Sequence, residues 1–329
     1  MNKNLRHGGD LSAAASAFGM PDDGWLDLST GINPVPYSIP NFPENIWQRL
    51  PVKADVQRLI DAARCFYGIP DSAALIPAPG TQAIIQWLPV LRECSRVQII
   101  GPTYEEHAAC WRANKHNVET IEDISDANAD ILIVVNPNNP NGRTIAPDIL
   151  LAHAETQAAR GGLLIVDEAF ADVMPEFSVA GSAGRSGLVV LRSFGKFFGL
   201  AGLRLGFAAG CQKDIAPLGD ALGPWCVAGP ALVIGAAALG NDVWHEQTRA
   251  RLAADAERLD KLLLAGGLDI VGGTTLFRLA QSADARLLYE RLGRAGILVR
   301  IFDAHPDWLR FGLPGTEASW QKLENALAV

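Results

Sequence analysis

Ser193-Phe-Gly-Lys196-Phe-Phe-Gly-Leu-Ala-Gly-Leu-Arg204-Leu-Gly206 sets one lysine between a hydroxyl and an arginine, in a run of aromatic, aliphatic and glycine residues. Lysine and arginine are usually solvated, and a surface lysine is the alternative reading. The flanks argue against it. Val189-Val-Leu191 precedes the run and Phe207-Ala-Ala209 follows it, so the segment belongs to an interior, where an unpaired cation is costly. An interior lysine near a hydroxyl and a guanidinium suits a phosphorylated aldehyde such as pyridoxal 5'-phosphate. Lys196 would bond to the aldehyde carbon, Ser193 and Arg204 would hold the phosphate, and the glycines would let the backbone come close.

Around this run, short stretches rich in Val and Ile alternate with longer ones of helical period, which predicts a mainly parallel α/β sheet with crossover helices. The expected strands are Val97–Ile100, Ile131–Val135, Leu163–Val166, Val189–Leu191 and Leu205–Ala208. Helices are expected over Gln82–Leu91, Tyr104–Asn114 and Pro147–Ala159, the last with its proline in the first turn. Ligands of such sheets gather at the carboxyl ends of the strands. Asn136, Asp167 and Ser193 each follow a strand directly, so three motifs converge on one crevice. Pro79-Gly80-Thr81-Gln82 lies where a strand turns into a helix, and helix N-terminal amides are donors for a phosphate.

Three segments carry a family resemblance. The lysine run, Asn136-Pro-Asn-Asn139-Pro-Asn-Gly142 and Val166-Asp167-Glu-Ala-Phe170 resemble, in the same order, the signatures of the class I/II aminotransferases, the fold-type I pyridoxal phosphate enzymes. The resemblance implies a mainly parallel central sheet with helices on both faces, plus a smaller α+β domain. It implies catalytic roles for Lys196, Asp167 and Tyr104. A buried Asp167 carboxylate would keep the cofactor's ring nitrogen protonated; a loop or helix-capping aspartate is the alternative. Asn139 would bond the ring oxygen, or serve only as a turn residue. Gly80, Thr81 and Gln82 would join Ser193 and Arg204 at the phosphate. Tyr104 would stack on the cofactor, with a core tyrosine as the alternative. Phe170 takes a place where many family members have a tyrosine, Asn141 stands where Thr or Ser is usual, and Phe66 lies near a position where a neighbouring subunit often supplies a tyrosine.

For the substrate, Arg310 in Trp308-Leu-Arg310-Phe-Gly matches the family arginine that grips a carboxylate, and a planar guanidinium suits that clamp. A surface arginine is the alternative. His7-Gly8-Gly9 would let backbone approach an anion while the imidazole adds a donor, although a flexible terminus is common. With Leu28-Ser-Thr-Gly-Ile-Asn33-Pro34 it resembles the threonine-phosphate decarboxylase branch, so His7, Gly8, Gly9, Asn33 and Arg310 form the expected substrate set. The implied partner is a small phosphorylated amino acid. A histidinol-phosphate-type aminotransferase is the rival, and an idle cofactor-binding regulatory protein the remote one.

Composition fits such an enzyme. The chain has 329 residues, 49% hydrophobic and 19% charged, enough for one large core and a smaller one. The implied division is a cofactor domain over 41–235 and a small domain from 1–40 with 236–329. A formal charge of −8 argues against nucleic acid or an anionic membrane as partner. Cys65, Cys94, Cys110, Cys211 and Cys226 are odd in number with no CxxC pair, so no metal or disulfide framework is expected and the thiols are read as reduced and mostly buried. The start, Met1 to Asp10, has no apolar core after its charges, which argues against a secretory signal and for a cytoplasmic protein. The apolar run Trp225–Gly240 is interrupted by Pro230 and glycines and is shorter than the ~20 residues of a membrane span, so a buried helix is expected. Arg249–Leu264 is read as an amphipathic helix, and Thr275–Leu279 and Ile297–Ile301 as strands. Family members assemble their sites at a subunit interface, which implies a homodimer.

Overall fold

The computed structural model describes residues 7–328; residues 1–6, which carry much of the stretch read as lacking a secretory signal, and Val329 lie outside them. The chain divides into two compact units. The larger comprises Tyr37–Asn139 and Thr144–Trp244; the smaller comprises Pro140–Arg143 with the described parts of Met1–Pro36 and His245–Val329.

Strand β1 (Leu26–Asp27) lies in the smaller unit. The larger holds β2 (Ala74–Ala78), β3 (Arg96–Ile100), β4 (Asn117–Ile121), β5 (Ile131–Val135), β6 (Leu163–Asp167), β7 (Leu188–Ser193) and β8 (Gly206–Gly210). They form one sheet in the order β2-β8-β7-β6-β5-β3-β4. All are parallel except β8, which runs against both neighbours. Every residue of β5, β6 and β8 is buried, as expected where helices cover both faces of a sheet and a strand has no solvent side. Val97, Ile99, Ile131, Ile133, Leu163, Ile165, Val189 and Leu191 pack on one face with Ile84, Ile85, Trp111 and Ile215 from three helices. Strand alternation therefore puts Asp167 on that face and Glu168 on the other.

Two strands escape the sequence pattern. Edge strand β4 is mostly exposed and polar, and β2, at the other edge, contains Pro77. The helix expected over Gln82–Leu91 is Thr81–Trp87; Pro89 has no N–H with which to continue it. Gly229–Leu239 is the buried helix expected within Trp225–Gly240.

In the smaller unit β9 (Asp269–Thr274), β10 (Phe277–Gln281), β12 (Arg300–Phe302) and β13 (His305–Gly312) form an antiparallel sheet in the order β12-β13-β10-β9, and β1 pairs in parallel with β11 (Ile297–Leu298). The strand expected over Thr275–Leu279 begins two residues later. Thr275 and Leu276 are the turn between β9 and β10, closed by the Leu276 N–H donating to Thr274 Oγ1 at 3.1 Å. The expected strand Ile297–Ile301 is two short ones, broken at Val299. Helices Leu11–Phe18, Ala285–Arg294 and Glu317–Leu327 belong to this unit, as does most of Asp242–Ala265.

The thiols depart from expectation. All five cysteines are free, Cys65 and Cys94 are exposed and the other three half-buried. Cys65 shares the helix Lys53–Tyr67 with Leu59, Ala63 and Tyr67, which take the inward stripe at four-residue spacing and leave it on the outer side. Among the described residues no helix is long and apolar enough to cross a membrane, and no group of three or more His, Cys, Asp or Glu side chains could hold a metal.

Candidate active site

In the larger unit the carboxyl ends of β2, β3, β5, β6 and β7 share one edge of the sheet. Because β8 is reversed, it starts at that edge: Gly206 pairs with Ala78 on one side and Ser193 on the other. Topology thus brings Gly80, Thr81, Ser193 and Arg204 together. A Cβ built on Gly80 would stand 2.6 Å from Arg204 Nη2, and one on Gly206 would stand 2.6 Å from the Thr81 amide nitrogen. Gly80 has φ +81°, which only glycine adopts readily. The two glycines thus let the Arg204 guanidinium and the Thr81 amide lie close to the backbone at this edge. Arg204 itself is exposed.

Lys196 sits in the one-turn helix Phe194–Phe197 directly after β7. Phe194, Phe197 and Phe198 are fully buried beneath it. Phe194 stacks on Phe198 with centroids 4.3 Å apart, and Phe198 stacks on Trp244 at 5.5 Å. These rings fix the turn and leave Lys196 half-buried, its Nζ 5.7 Å from the centroid of Phe170.

Asp167 ends β6 with 3% exposure. Its Oδ1 accepts the Ala169 N–H at 3.1 Å, and its Oδ2 lies 2.9 Å from Nε2 of His107, a residue 1% exposed on the helix Glu105–Ala113. Sequence reasoning missed His107, since a lone histidine in an amphipathic helix carries no signal of its partner. Tyr104 meets His107 edge to face at 6.1 Å and donates from its hydroxyl to Gln82 Oε1 at 3.1 Å. Burial first, then Glu106 and Asp167, push the Tyr104 pKa up, so the phenol stays protonated. The Gln82 side-chain amide donates to Glu106 Oε2 at 2.8 Å, so this side chain is engaged by both Tyr104 and Glu106. Asn136 is fully buried and braces its own loop, bonding Ile145 N and O and Phe177 O. Asn138 donates to Pro102 O at 2.9 Å, and Asn139 beside it is half-buried.

The expected substrate residues lie in the smaller unit. Arg310, 7% exposed in the central strand β13, donates from Nη2 to Ser29 O at 2.7 Å. The Gly9 N–H donates to Ser29 Oγ at 2.7 Å, and a Cβ on Gly8 would come within 2.3 Å of Ser29 O. The His-Gly-Gly glycines therefore let the arm lie against Ser29, and both it and Arg310 converge there. Asn33, also buried, uses Oδ1 to accept from Arg251 Nη2 at 2.7 Å and Val35 N at 3.0 Å. Arg300 was not foreseen. It pairs directly with Arg310 across β12 and β13 and lines, with His7, Gly8 and Ser29, a cavity of about 800 Å³. Burial and Arg300 push the Arg310 pKa down to about 9, with Asp27 opposing. Like charges directly opposite across a ladder repel, and a bound anion would reverse that.

The model of the family described as aminotransferase class I and II matches residues 56–327. The chain belongs to the class I and II aminotransferase family. A threonine-phosphate decarboxylase of Sinorhizobium sp. is 47% identical over 100% of this chain and 99% of its own. Another from Pseudomonas aeruginosa is 46% identical over 98% and 97%. A solved histidinol-phosphate aminotransferase from Sinorhizobium meliloti, in complex with pyridoxal-5'-phosphate, shares the fold with TM-score 0.79 at 16% identity, over 98% of this chain and 94% of that one. The fold is that of the fold-type I aminotransferases, with β8 as its one reversed strand.

Proposed function

We propose that this chain is a pyridoxal phosphate-dependent carboxy-lyase that converts L-threonine O-3-phosphate to (R)-1-amino-2-propanol O-2-phosphate in cobalamin biosynthesis, acting as a cytoplasmic homodimer. The observation that carries the reading is the 47% and 46% identity, through full length, to two proteins named for that activity. The residues fit the cofactor: the Arg204 guanidinium lies close against Gly80 and the Thr81 amide against Gly206, donors that suit a phosphate, and an acidic side chain and a lysine stand at the ends of adjacent strands.

Ser193, Thr81 and Arg204 would hold the phosphate, with Gly80 giving it room. Asp167, backed by His107, would hold a proton on the ring nitrogen, while Asn139 and Tyr104 keep the ring in place. When bound, pyridoxal phosphate would supply an electron sink for the pair left at the substrate α carbon on loss of CO2. Lys196 would hold the cofactor aldehyde and would carry the proton returned to that carbon. Phe170 presents no hydroxyl near Lys196, which distinguishes the site from one in which a tyrosine bonds the cofactor. Arg310 would bind the carboxylate, and His7 and Arg300 suit the second anionic group; fixing both ends of the substrate selects which α-carbon bond breaks.

The direct test is CO2 release from L-threonine O-3-phosphate by cofactor-loaded protein, with and without 2-oxoglutarate. Release independent of the keto acid is expected. Amino transfer from histidinol phosphate, dependent on 2-oxoglutarate and without CO2, would replace this reading with the aminotransferase.

Two further results are expected. Gly80→Ala puts a methyl group against Arg204 Nη2 in a backbone conformation alanine avoids. Losing a charge-assisted contact weakens pyridoxal phosphate binding by about 10- to 100-fold, read by absorbance titration of the apo-protein; unchanged affinity would remove Gly80 from the phosphate site. Arg310→Gln raises KM for threonine phosphate by about 100-fold, with a smaller fall in kcat. Steady-state kinetics showing KM unmoved would place the carboxylate elsewhere.

A further inference from the structure

On the sheet face opposite Asp167 lies a buried ionic cluster for which the chemistry above has no use. Arg192 immediately precedes Ser193 and is 3% exposed. Its Nη1 donates to Glu168 Oε2 and, at 3.2 Å, to Ser178 Oγ; its Nη2 donates to Asp172 Oδ1. Glu168 also accepts from Ser178 Oγ and the Val179 N–H, both at 2.6 Å. The Tyr67 ring lies under the guanidinium, 4.3 Å from its carbon. Two carboxylates and one guanidinium are thus sealed together at 1–3% exposure, although an apolar cluster of equal volume is often as stable. Stability alone gives little reason to keep it.

Its geometry gives another. Glu168 and Asp172 bracket Phe170, and the stretch from Ala171 to Ser182 contains only short 3-10 turns, so no sheet ladder fixes it. Arg192 holds this stretch at both sides of Phe170 and stands four residues before Lys196 on the neighbouring strand. A planar guanidinium can reach both carboxylates at once, which a single ammonium cannot do in the same geometry. We infer that Arg192, acting through Glu168 and Asp172, is a positioning residue that sets Phe170 and the end of β6 against Lys196 and so fixes the cofactor's seat. This rests on the decarboxylase reading for its activity readout alone.

The experiment compares wild-type, Arg192→Lys, Glu168→Gln and Asp172→Asn proteins, each as apo-protein titrated with pyridoxal phosphate and then assayed with threonine phosphate. Displacement of reacting groups by about 1 Å costs on the order of 100-fold in rate. The expected pattern for Arg192→Lys is therefore a kcat lower by about that factor, KM within about threefold, and a shifted visible absorption maximum of the Lys196-bound cofactor. The two single carboxamides, which keep the shape of the cluster, show the same spectral shift in smaller measure. If all soluble variants merely melt at lower temperature while keeping the wild-type spectrum and kcat, the cluster is structural and the inference is overturned. Should Arg192→Lys fail to fold, the carboxamide spectra decide by the same criterion. Absence of CO2 release by the wild type would fault the decarboxylase reading, while the spectral comparison would still decide the role of Arg192.

Discussion

Lys196→Ala protein is expected to release CO2 from threonine phosphate at about 10⁻² to 10⁻⁴ of the wild-type rate, the range lost when a positioned proton carrier is removed. The fold survives the change, because the lysine turn is anchored by Phe194, Phe197 and Phe198, all fully buried, and by their stacking on one another and on Trp244. Pyridoxal phosphate should still bind through its phosphate contacts but without the absorption band of the covalent link. Added small amines should restore part of the rate, since they can carry the proton that Lys196 no longer supplies. Near-wild-type turnover in the variant, with an intact near-ultraviolet circular dichroism spectrum, would move the chemistry away from Lys196.

Asp167→Asn is the second large effect expected. The amide keeps the volume of the carboxylate and can still accept the Ala169 N–H, so packing at the end of β6 is preserved. The negative charge is lost from a site 3% exposed. Removing one partner of a buried charge pair costs about 3 to 5 kcal/mol, equivalent to about 10²- to 10⁴-fold in rate if that charge keeps the ring nitrogen protonated during decarboxylation. Cofactor should bind with its phosphate contacts intact, so the loss appears in kcat. His107→Gln, which removes the imidazole behind Asp167 without touching the carboxylate, is expected to lie between wild type and Asp167→Asn. A kcat for Asp167→Asn within threefold of wild type would exclude a catalytic role for this carboxylate.

Much of the larger unit's sheet is legible in the sequence. The apolar runs that became β5, β6 and β7 are buried on both faces, and such strands must be continuous in hydrophobicity, so they stand out. The motif residues follow these strands directly, and a parallel sheet collects strand ends at one edge. That is why Asp167 and Ser193, 26 positions apart in the sequence, could be assigned to one crevice. The edge strand β4 and the proline-containing β2 carry neither pattern and were missed.

Partnership between side chains was not legible. His107 reads as one histidine of an amphipathic helix, and only the packing of Glu105–Ala113 against β3 and β4 brings its Nε2 to Asp167. Arg300 and Arg310 meet because of the register between β12 and β13, and a shift of one residue would send them to opposite faces. The Gln82 side chain pairs with Tyr104 and Glu106, 22 and 24 positions away.

The sequence by itself determined the family and the parallel core, because these depend on residue order and on hydrophobic runs that any fold of the chain must bury. Only the tertiary structure decided the reversal of β8 that carries Arg204 to Gly80, the pairing of His107 with Asp167 and the burial of Arg192 between Glu168 and Asp172. Those are contacts between residues 20 to 124 positions apart. They are selected by strand order, register and the direction of each side chain, and none of these is written in a local pattern.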